Sequence, residues 1–307
     1  MYGSHLSIAG GMVNALNGAK ALKLDTVQVF TKNQRQWKAP ALQDDEVAAW
    51  LKELKSLGWQ GRTVSHATYL MNLASPDPEL LKKSVAMLEE ELTRCHTLSI
   101  PFLVFHPGAH LGQGVDVGLR TIAKAVAPVL RRKVGGKVVL CLENTAGGGT
   151  TLGRSFEELA SLKRYIEDES GSDAAGRVGF CFDTCHALAA GYDLASHDSG
   201  TDQGKKRTTA SAHAAASAVL DEFDRLCGLE HLRVLHLNDS KGGRGSHLDR
   251  HTHIGHGLVG LGAFAAVVKH PKLAQTPKIM ETPKEEDPEG RPWDSVNLAA
   301  LQRLAKD

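Results

Sequence analysis

The chain carries no excess charge of either sign. Its 36 Lys and Arg offset 35 Asp and Glu, leaving a formal net charge of +1 over 307 residues. No overall field therefore draws in a polyanion, and any contact with nucleic acid or acidic lipid has to come from a local patch. Long apolar runs are missing too: no stretch approaches the ~18 residues needed to span a bilayer. The opening Met1-Tyr2-Gly3-Ser4-His5 enters a strand almost at once, too soon for a signal peptide. Cysteine is scarce and odd in number, five in all. Cys95, Cys141 and Cys181 fall in apolar surroundings, the expectation for buried free thiols in a reducing compartment. Cys181 and Cys185 flank Asp183 without the spacing of a zinc knuckle. Asn238-Asp239-Ser240 matches a glycosylation sequon, read as a chance match in a chain expected to be soluble and intracellular.

Histidine is what the chain has in excess. Fifteen is about twice the usual number, and several close short apolar runs. The runs 62–66, 102–106, 138–143, 178–183, 234–236 and 278–281 each read as a buried strand. They end in His66, His106, Glu143, Asp183, His236 and Glu281. Strand patterns at 4–8 and 26–30 bring the total to eight. Helical spacing alternates with them at 12–22, 44–57, 78–98, 117–132, 155–167, 211–226, 261–269 and 294–301. Eight β/α repeats predict an α/β fold, a closed (β/α)8 TIM barrel forming one domain over 1–307. In such a barrel all the strand ends share one face, where catalytic groups gather.

Two connections break the short-loop pattern. Residues 195–210 (ASHDSGTDQGKKRTTA) are polar and read as a mobile surface insertion. Residues 238–258 are long and bury little, and their Asp249-Arg250-His251 marks them as functional. Asp249 and His251 alternate by two, so in an extended segment they project to one side. His186 stands three residues after Asp183, at the start of the following helix. A single such histidine is most simply a hydrogen-bonded structural residue. The set differs, because four carboxylates at one barrel mouth repel by several kcal/mol, to order of magnitude, unless cations neutralise them. Imidazole and carboxylate donors suit zinc, and more than one ion is expected.

Eight segments carry a family resemblance: FTKNQRQW (30–37), SHATYLMNL (65–73), FHPGAH (105–110), LENTAG (142–147), CFDTCHALAAGYDL (181–194), LHLNDSK (235–241), DRHTHIGHG (249–257) and METP (280–283). In order and over nearly the whole chain, they resemble the endonuclease IV family, the zinc-dependent apurinic/apyrimidinic endonucleases of DNA base-excision repair. The resemblance implies three zinc ions. His66, His106 and Glu143 would hold the first; Glu143, as a bridge, with Asp183, His236 and Glu281 the second; His186, Asp249 and His251 the third. It implies hydrolysis of the phosphodiester 5′ to an abasic site in duplex DNA, with Glu143 as the catalytic bridging carboxylate. The products would be a 3′-hydroxyl and a 5′-deoxyribose phosphate, and repair of blocked 3′ ends would accompany them.

Residues matching Arg35, Tyr69 and Leu70 penetrate the duplex in the family, and an abasic nucleotide is cheap to flip. Lys32 and Lys38 flank Trp37 in the same expected DNA-binding loop as Arg35, and Lys241, Arg244 and Arg250 are candidate phosphate contacts, whereas the Lys205-Lys206-Arg207 run reads as solvated. A monomer is expected, in the cytoplasm, or in the nucleus or mitochondrion if the source is eukaryotic. One departure is His256, where the family more often has an acidic residue; it is not counted as a ligand. The rival reading is a sugar isomerase or epimerase on a related barrel, using Glu143, Asp183, His236 and Glu281 around Mn²⁺ or Mg²⁺. It leaves His66, His106, His186, Asp249 and His251 without a shared purpose. A non-catalytic DNA-damage binding module would tolerate lost ligands, and none is lost.

Overall fold

The computed structural model describes residues 1–171, 176–198 and 203–306. Short β-branched and apolar runs form the parallel strands β1 (Tyr2–His5), β2 (Thr26–Val29), β3 (Val64–His66), β4 (Phe102–Phe105), β5 (Val139–Glu143), β6 (Val178–Asp183) and β7 (Leu232–His236). A two-stranded ribbon follows, β8 (Asp239–Ser240) with β9 (His251–Thr252), before the last barrel strand, β10 (Lys278–Met280). Eight strands close in the order β1-β10-β7-β6-β5-β4-β3-β2, and the antiparallel ribbon stands outside the barrel. This is the predicted (β/α)8 barrel.

Helices wrap the outside: α1 (Val13–Ala21), α2 (Asp44–Ser56), α3 (Pro78–Thr97), α4 (Val115–Arg131), α5 (Phe156–Ser170), α6 (Thr184–Ala190), α7 (Thr209–Cys227), α8 (Leu261–Lys269) and α9 (Trp293–Lys306). Several of their starts are capped by side chains. The Asp77 carboxylate accepts from the Glu79 and Leu80 amides, with Pro78 in the first turn; Ser155 and Thr208 cap α5 and α7 in the same way. Among the described residues no helix is long and apolar enough to cross a membrane. All five cysteines are free and buried, as expected.

Strand alternation divides each run between two cores. In β6, Phe180 and Phe182 point outward and pack edge-on against Phe223 of α7, while Cys181 points into the barrel. The interior layer is Val64, Val104, Cys141, Cys181, Val234 and Ile279, each wholly buried. The same period of two then aims the residue two places further on into the barrel mouth. Those residues are His66, His106, Glu143, Asp183, His236 and Glu281. A dry apolar floor thus lies under six polar donors, one per strand.

Three details differ from the sequence reading. The first strand is Tyr2–His5 rather than 4–8, because its register against Lys278 and Thr26 places its end at His5, opposite Gln28. The loop 238–258 contains the β8–β9 ribbon. The flanks of the 195–210 insertion are tied down: Ala195 pairs with Val259 and His197 with Lys206. The Arg207 guanidinium turns inward to Asp193 (2.7 Å) and Asp198 (3.1 Å). The centre of that expected insertion, 199–202, lies outside the described residues.

Candidate metal centre

Glu143 is wholly buried and lies at the middle of the barrel mouth. Its Oε2 is 3.0 Å from His66 Nε2 and 3.2 Å from His106 Nε2. Its Oε1 is 3.0 Å from His236 Nδ1 and 3.2 Å from His186 Nδ1. His236 Nδ1 is also 3.2 Å from Glu281 Oε2 and 3.8 Å from Asp183 Oδ2. Asp183 ends β6 and caps α6, accepting from the His186 amide at 2.7 Å. That cap sets His186 Nε2 3.2 Å from Asp249 Oδ1, and the same oxygen is 3.4 Å from His251 Nε2.

Among the described residues four groups have donor atoms within 4.8 Å of one another, three of them made of His, Asp and Glu alone: His66, His106 and Glu143; Glu143, Asp183, His236 and Glu281; and Asp183, His186 and His251. The first two are the expected sets. In the third, Asp183 joins the two histidines, while Asp249, with a side chain 54% exposed, closes over them from the loop. Cys181 lies within the same reach of Glu143 and His236. Burial pushes its thiol well up, so it keeps its proton.

Hydrogen bonds fix which ring nitrogen faces inward. Nδ1–H of His66 donates to the Ala67 carbonyl (2.7 Å), that of His186 to the Asn144 carbonyl (3.0 Å), and that of His251 to the Glu281 carbonyl (3.3 Å). His236 is turned the other way, its Nε2–H donating to Gln28 Oε1 at 2.9 Å. Each inner nitrogen is left with a lone pair facing carboxylate oxygens. That arrangement repels unless a proton or a metal ion stands between them.

The electrostatics agree. Burial opposes charge on His236, yet Glu281 and Glu143 hold it up to about 9. Burial likewise opposes charge on His251, but the neighbouring Cys185 thiol and the attraction of Asp183 hold it up to about 10. Burial would raise Asp249, yet the His186 imidazole beside it, with His251, pulls it down to about 2. Glu143 and Glu281 are held well below the usual carboxylate range; burial works against this, but His236 and the other imidazoles prevail. The Nε2 atoms of His186 and His251 are buried with no hydrogen-bond partner. The donor set therefore fits divalent cations, which would satisfy those nitrogens and replace the protons.

Residues 16–304 match a family model described as a xylose isomerase-like TIM barrel. The chain is 41% identical over 305 residues to the probable endonuclease 4 of Chloroflexus aggregans, covering 99% of this chain and 98% of that one. It is 40% identical to the probable endonuclease 4 of Geobacter sulfurreducens, with 99% and 94% covered. The chain belongs to the endonuclease IV family. The crystal structure of endonuclease IV from Thermus thermophilus superposes with a TM-score of 0.79 at 36% identity, covering 99% and 98% of the two chains. A D-tagatose 3-epimerase-like protein, at 15% identity and a TM-score of 0.68, shares the fold alone. As an endonuclease IV family member the chain is a hydrolase of the nuclease type.

Around the donor cluster, several residues expected at DNA occupy the rim. Tyr69 is 58% exposed, and its ring lies 5.3 Å from that of His66 and 5.4 Å from that of His106. Thr68 Oγ1 donates to the Gln34 carbonyl at 2.5 Å and accepts from the Leu70 amide. It thereby ties the exposed Arg35 turn to the Tyr69–Leu70 loop. Arg250 is exposed beside Asp249. Lys32 corrects an expectation: its ammonium is buried against α3, 3.0 Å from Glu90 and 3.8 Å from Glu91, and so is not offered to a phosphate. His256 stands apart from the donors, its ring edge-on to Trp293 at 5.1 Å.

Sequence reading missed the amides that aim the donors. Gln28, besides holding His236, donates to Glu281 Oε1 at 2.6 Å. Asn144 clamps the Asp183 main chain, accepting from its amide (2.7 Å) and donating to its carbonyl (3.0 Å). Asn238 donates to Asp183 Oδ2 (2.6 Å) and accepts from the Glu281 amide (2.7 Å). Wholly buried in that role, it is no glycosylation acceptor. The available signal was a polar residue inside or just beyond an apolar strand run.

Proposed function

We propose that this endonuclease IV family member hydrolyses the phosphodiester 5′ to abasic sites in duplex DNA, using three zinc ions held by the nine donors. One observation carries the reading: the two orphaned Nε2 atoms of His186 and His251, which converge on Asp249 beyond the Glu143 cluster. A sugar epimerase needs only the strand-end group of Glu143, Asp183, His236 and Glu281. It gives the outer group no purpose.

Zinc bound there would lower the pKa of a water and offset charge developing on the phosphoryl oxygens. The chain's own residues do the rest. Glu143 presents each carboxylate oxygen to two imidazoles and so sets the spacing of the inner groups. Gln28, Asn144 and Asn238 lock the orientation of His236, Asp183 and Glu281, and pre-organisation of this kind is needed for productive geometry. A cleft lined by His66, His106, His186 and Asp249 opens between Tyr69–Leu70 and the Gly147-Gly148 backbone. It would admit a flipped-out sugar-phosphate while Arg35, Tyr69, Leu70 and Arg250 hold the duplex. The product carries a 3′-hydroxyl and a 5′-deoxyribose phosphate, and the same chemistry would clear blocked 3′ ends. The protein is proposed to act as a monomer.

The test pairs a metal count with incision of a duplex bearing one abasic analogue. About three zinc ions per chain and a cut 5′ to the analogue are expected. A zinc-loaded protein that bound this duplex and never cut it would refute the proposal.

A further inference from the structure

The inner donors stand on barrel strands, but Asp249 and His251 stand on a loop with little to bury. One carboxylate fixes that loop. Asp239 is wholly buried. Its Oδ1 accepts from the Ser240 amide (2.8 Å) and the Val259 amide (2.9 Å). Its Oδ2 accepts from the Gly255 amide (2.8 Å) and the Gly257 amide (3.0 Å). Main-chain donors from both ends of the excursion thus converge on one side chain.

The consequence reaches the donors directly. Ser240 is paired with His251 across the β8–β9 ribbon, and the Lys241 amide bonds the Arg250 carbonyl at 2.9 Å. The loop is also shaped around this carboxylate. Gly255 has φ +82°, a left-handed conformation that favours glycine, and a Cβ at Gly257 would collide with Asp239 and the Ser240 carbonyl. Among the described residues no cation is paired with Asp239. A buried carboxylate without a counter-ion costs stability, so it is better explained by the backbone geometry it imposes. Asparagine could not replace it, because an amide offers one acceptor oxygen and its NH2 would confront two of the N–H groups.

We infer that Asp239 is the positioning residue for the outermost ion: its carboxylate gathers the two ends of the loop and thereby sets His251 and Asp249 over His186. The inference rests on the three-ion reading. The inner two groups stand on barrel strands, and Asn238, the loop residue that orients them, is held by its own bonds to Asp183 and Glu281, so perturbing Asp239 should release one ion selectively.

Asp239→Asn, as full-length zinc-loaded protein, should keep two ions per chain after desalting where wild type keeps three. Titration against a competing chelator should show the third ion returning at roughly 10–100-fold higher free zinc. Over that titration kcat should recover while KM stays unchanged, a split that a general loss of structure would not give. Gly257→Ala crowds the same carboxylate without removing its charge. It should weaken the same ion, and it supplies the reading if Asp239→Asn does not accumulate folded. Three ions at wild-type affinity in the variant, or equal weakening of all three, overturns the role of Asp239. A wild-type count of two would instead overturn the three-ion reading itself.

Discussion

Replacing Glu143 with Gln tests the centre most directly. The side chain keeps its shape but loses its charge, at a site with no solvent exposure and with four imidazole nitrogens within 3.2 Å. In the proposed state, the carboxylates of Glu143, Asp183 and Glu281 face two divalent ions. Without Glu143 the site is left with one more uncompensated positive charge, and two histidines meet an amide NH2. Breaking one partner out of a buried charge cluster costs about 3–5 kcal/mol. At about 1.4 kcal/mol per tenfold, that weakens the inner ions by roughly two to three and a half orders of magnitude. The outer group of His186, Asp249 and His251 is spared. Metal analysis after desalting should fall from about three ions to about one, and incision of an abasic duplex should fall at least ~100-fold. The circular dichroism spectrum should not change, because the barrel floor beneath Glu143 is untouched. A variant that kept the full metal complement and a tenth or more of wild-type incision would refute the bridging role.

Gln28→Leu keeps the volume but removes the acceptor for His236 Nε2–H and the donor to Glu281. Metal affinity should drop about 10–100-fold, read by chelator competition; wild-type affinity would show that Gln28 orients nothing. In metal-free protein, His236 and His251 have folded-state values raised to about 9 and about 10. Their contribution to stability is full below their unfolded value near pH 6.5 and is lost as pH rises to about 9–10. Glu143 and Glu281 are depressed, so theirs is present above about pH 4.5 and lost as pH falls further. The melting temperature of chelator-stripped protein should therefore decline from about pH 6.5 to 9. Zinc-loaded protein should not follow it, and a rise in the stripped protein would contradict the sign. Arg35→Ala should weaken binding of abasic duplex by gel shift without altering the metal count; equal binding removes Arg35 from recognition. Gly262 packs α8 on α7, and an added Cβ would fall within 2.5 Å of the His213 main-chain nitrogen. Gly262→Ala should cost roughly 1–3 kcal/mol in urea unfolding, and an unchanged midpoint would mean the helices part freely.

The strand-end donors were legible because period-two alternation and parallel strand direction are both written locally. Cys141 marks the barrel interior, so Glu143 two residues on must enter the mouth. Lys32 was misread because it shares one basic, polar segment with Arg35 and Lys38, and nothing local says which side chain meets Glu90 and Glu91 on α3. The first strand was misplaced because register depends on partners at Thr26 and Lys278, not on the apolar content of 4–8.

The sequence by itself determined the barrel, the face on which the chemistry collects and the residues able to bind metal there. These follow from residue type and spacing along one strand or one turn. The tertiary structure alone decided how those residues are aimed. Asn144 clamps Asp183 across 39 positions, Gln28 reaches Glu281 across 253, and Asp239 gathers amides as far as Val259. A hydrogen bond between residues so far apart leaves no periodic trace in the chain, because only closure of the barrel brings donor and acceptor together.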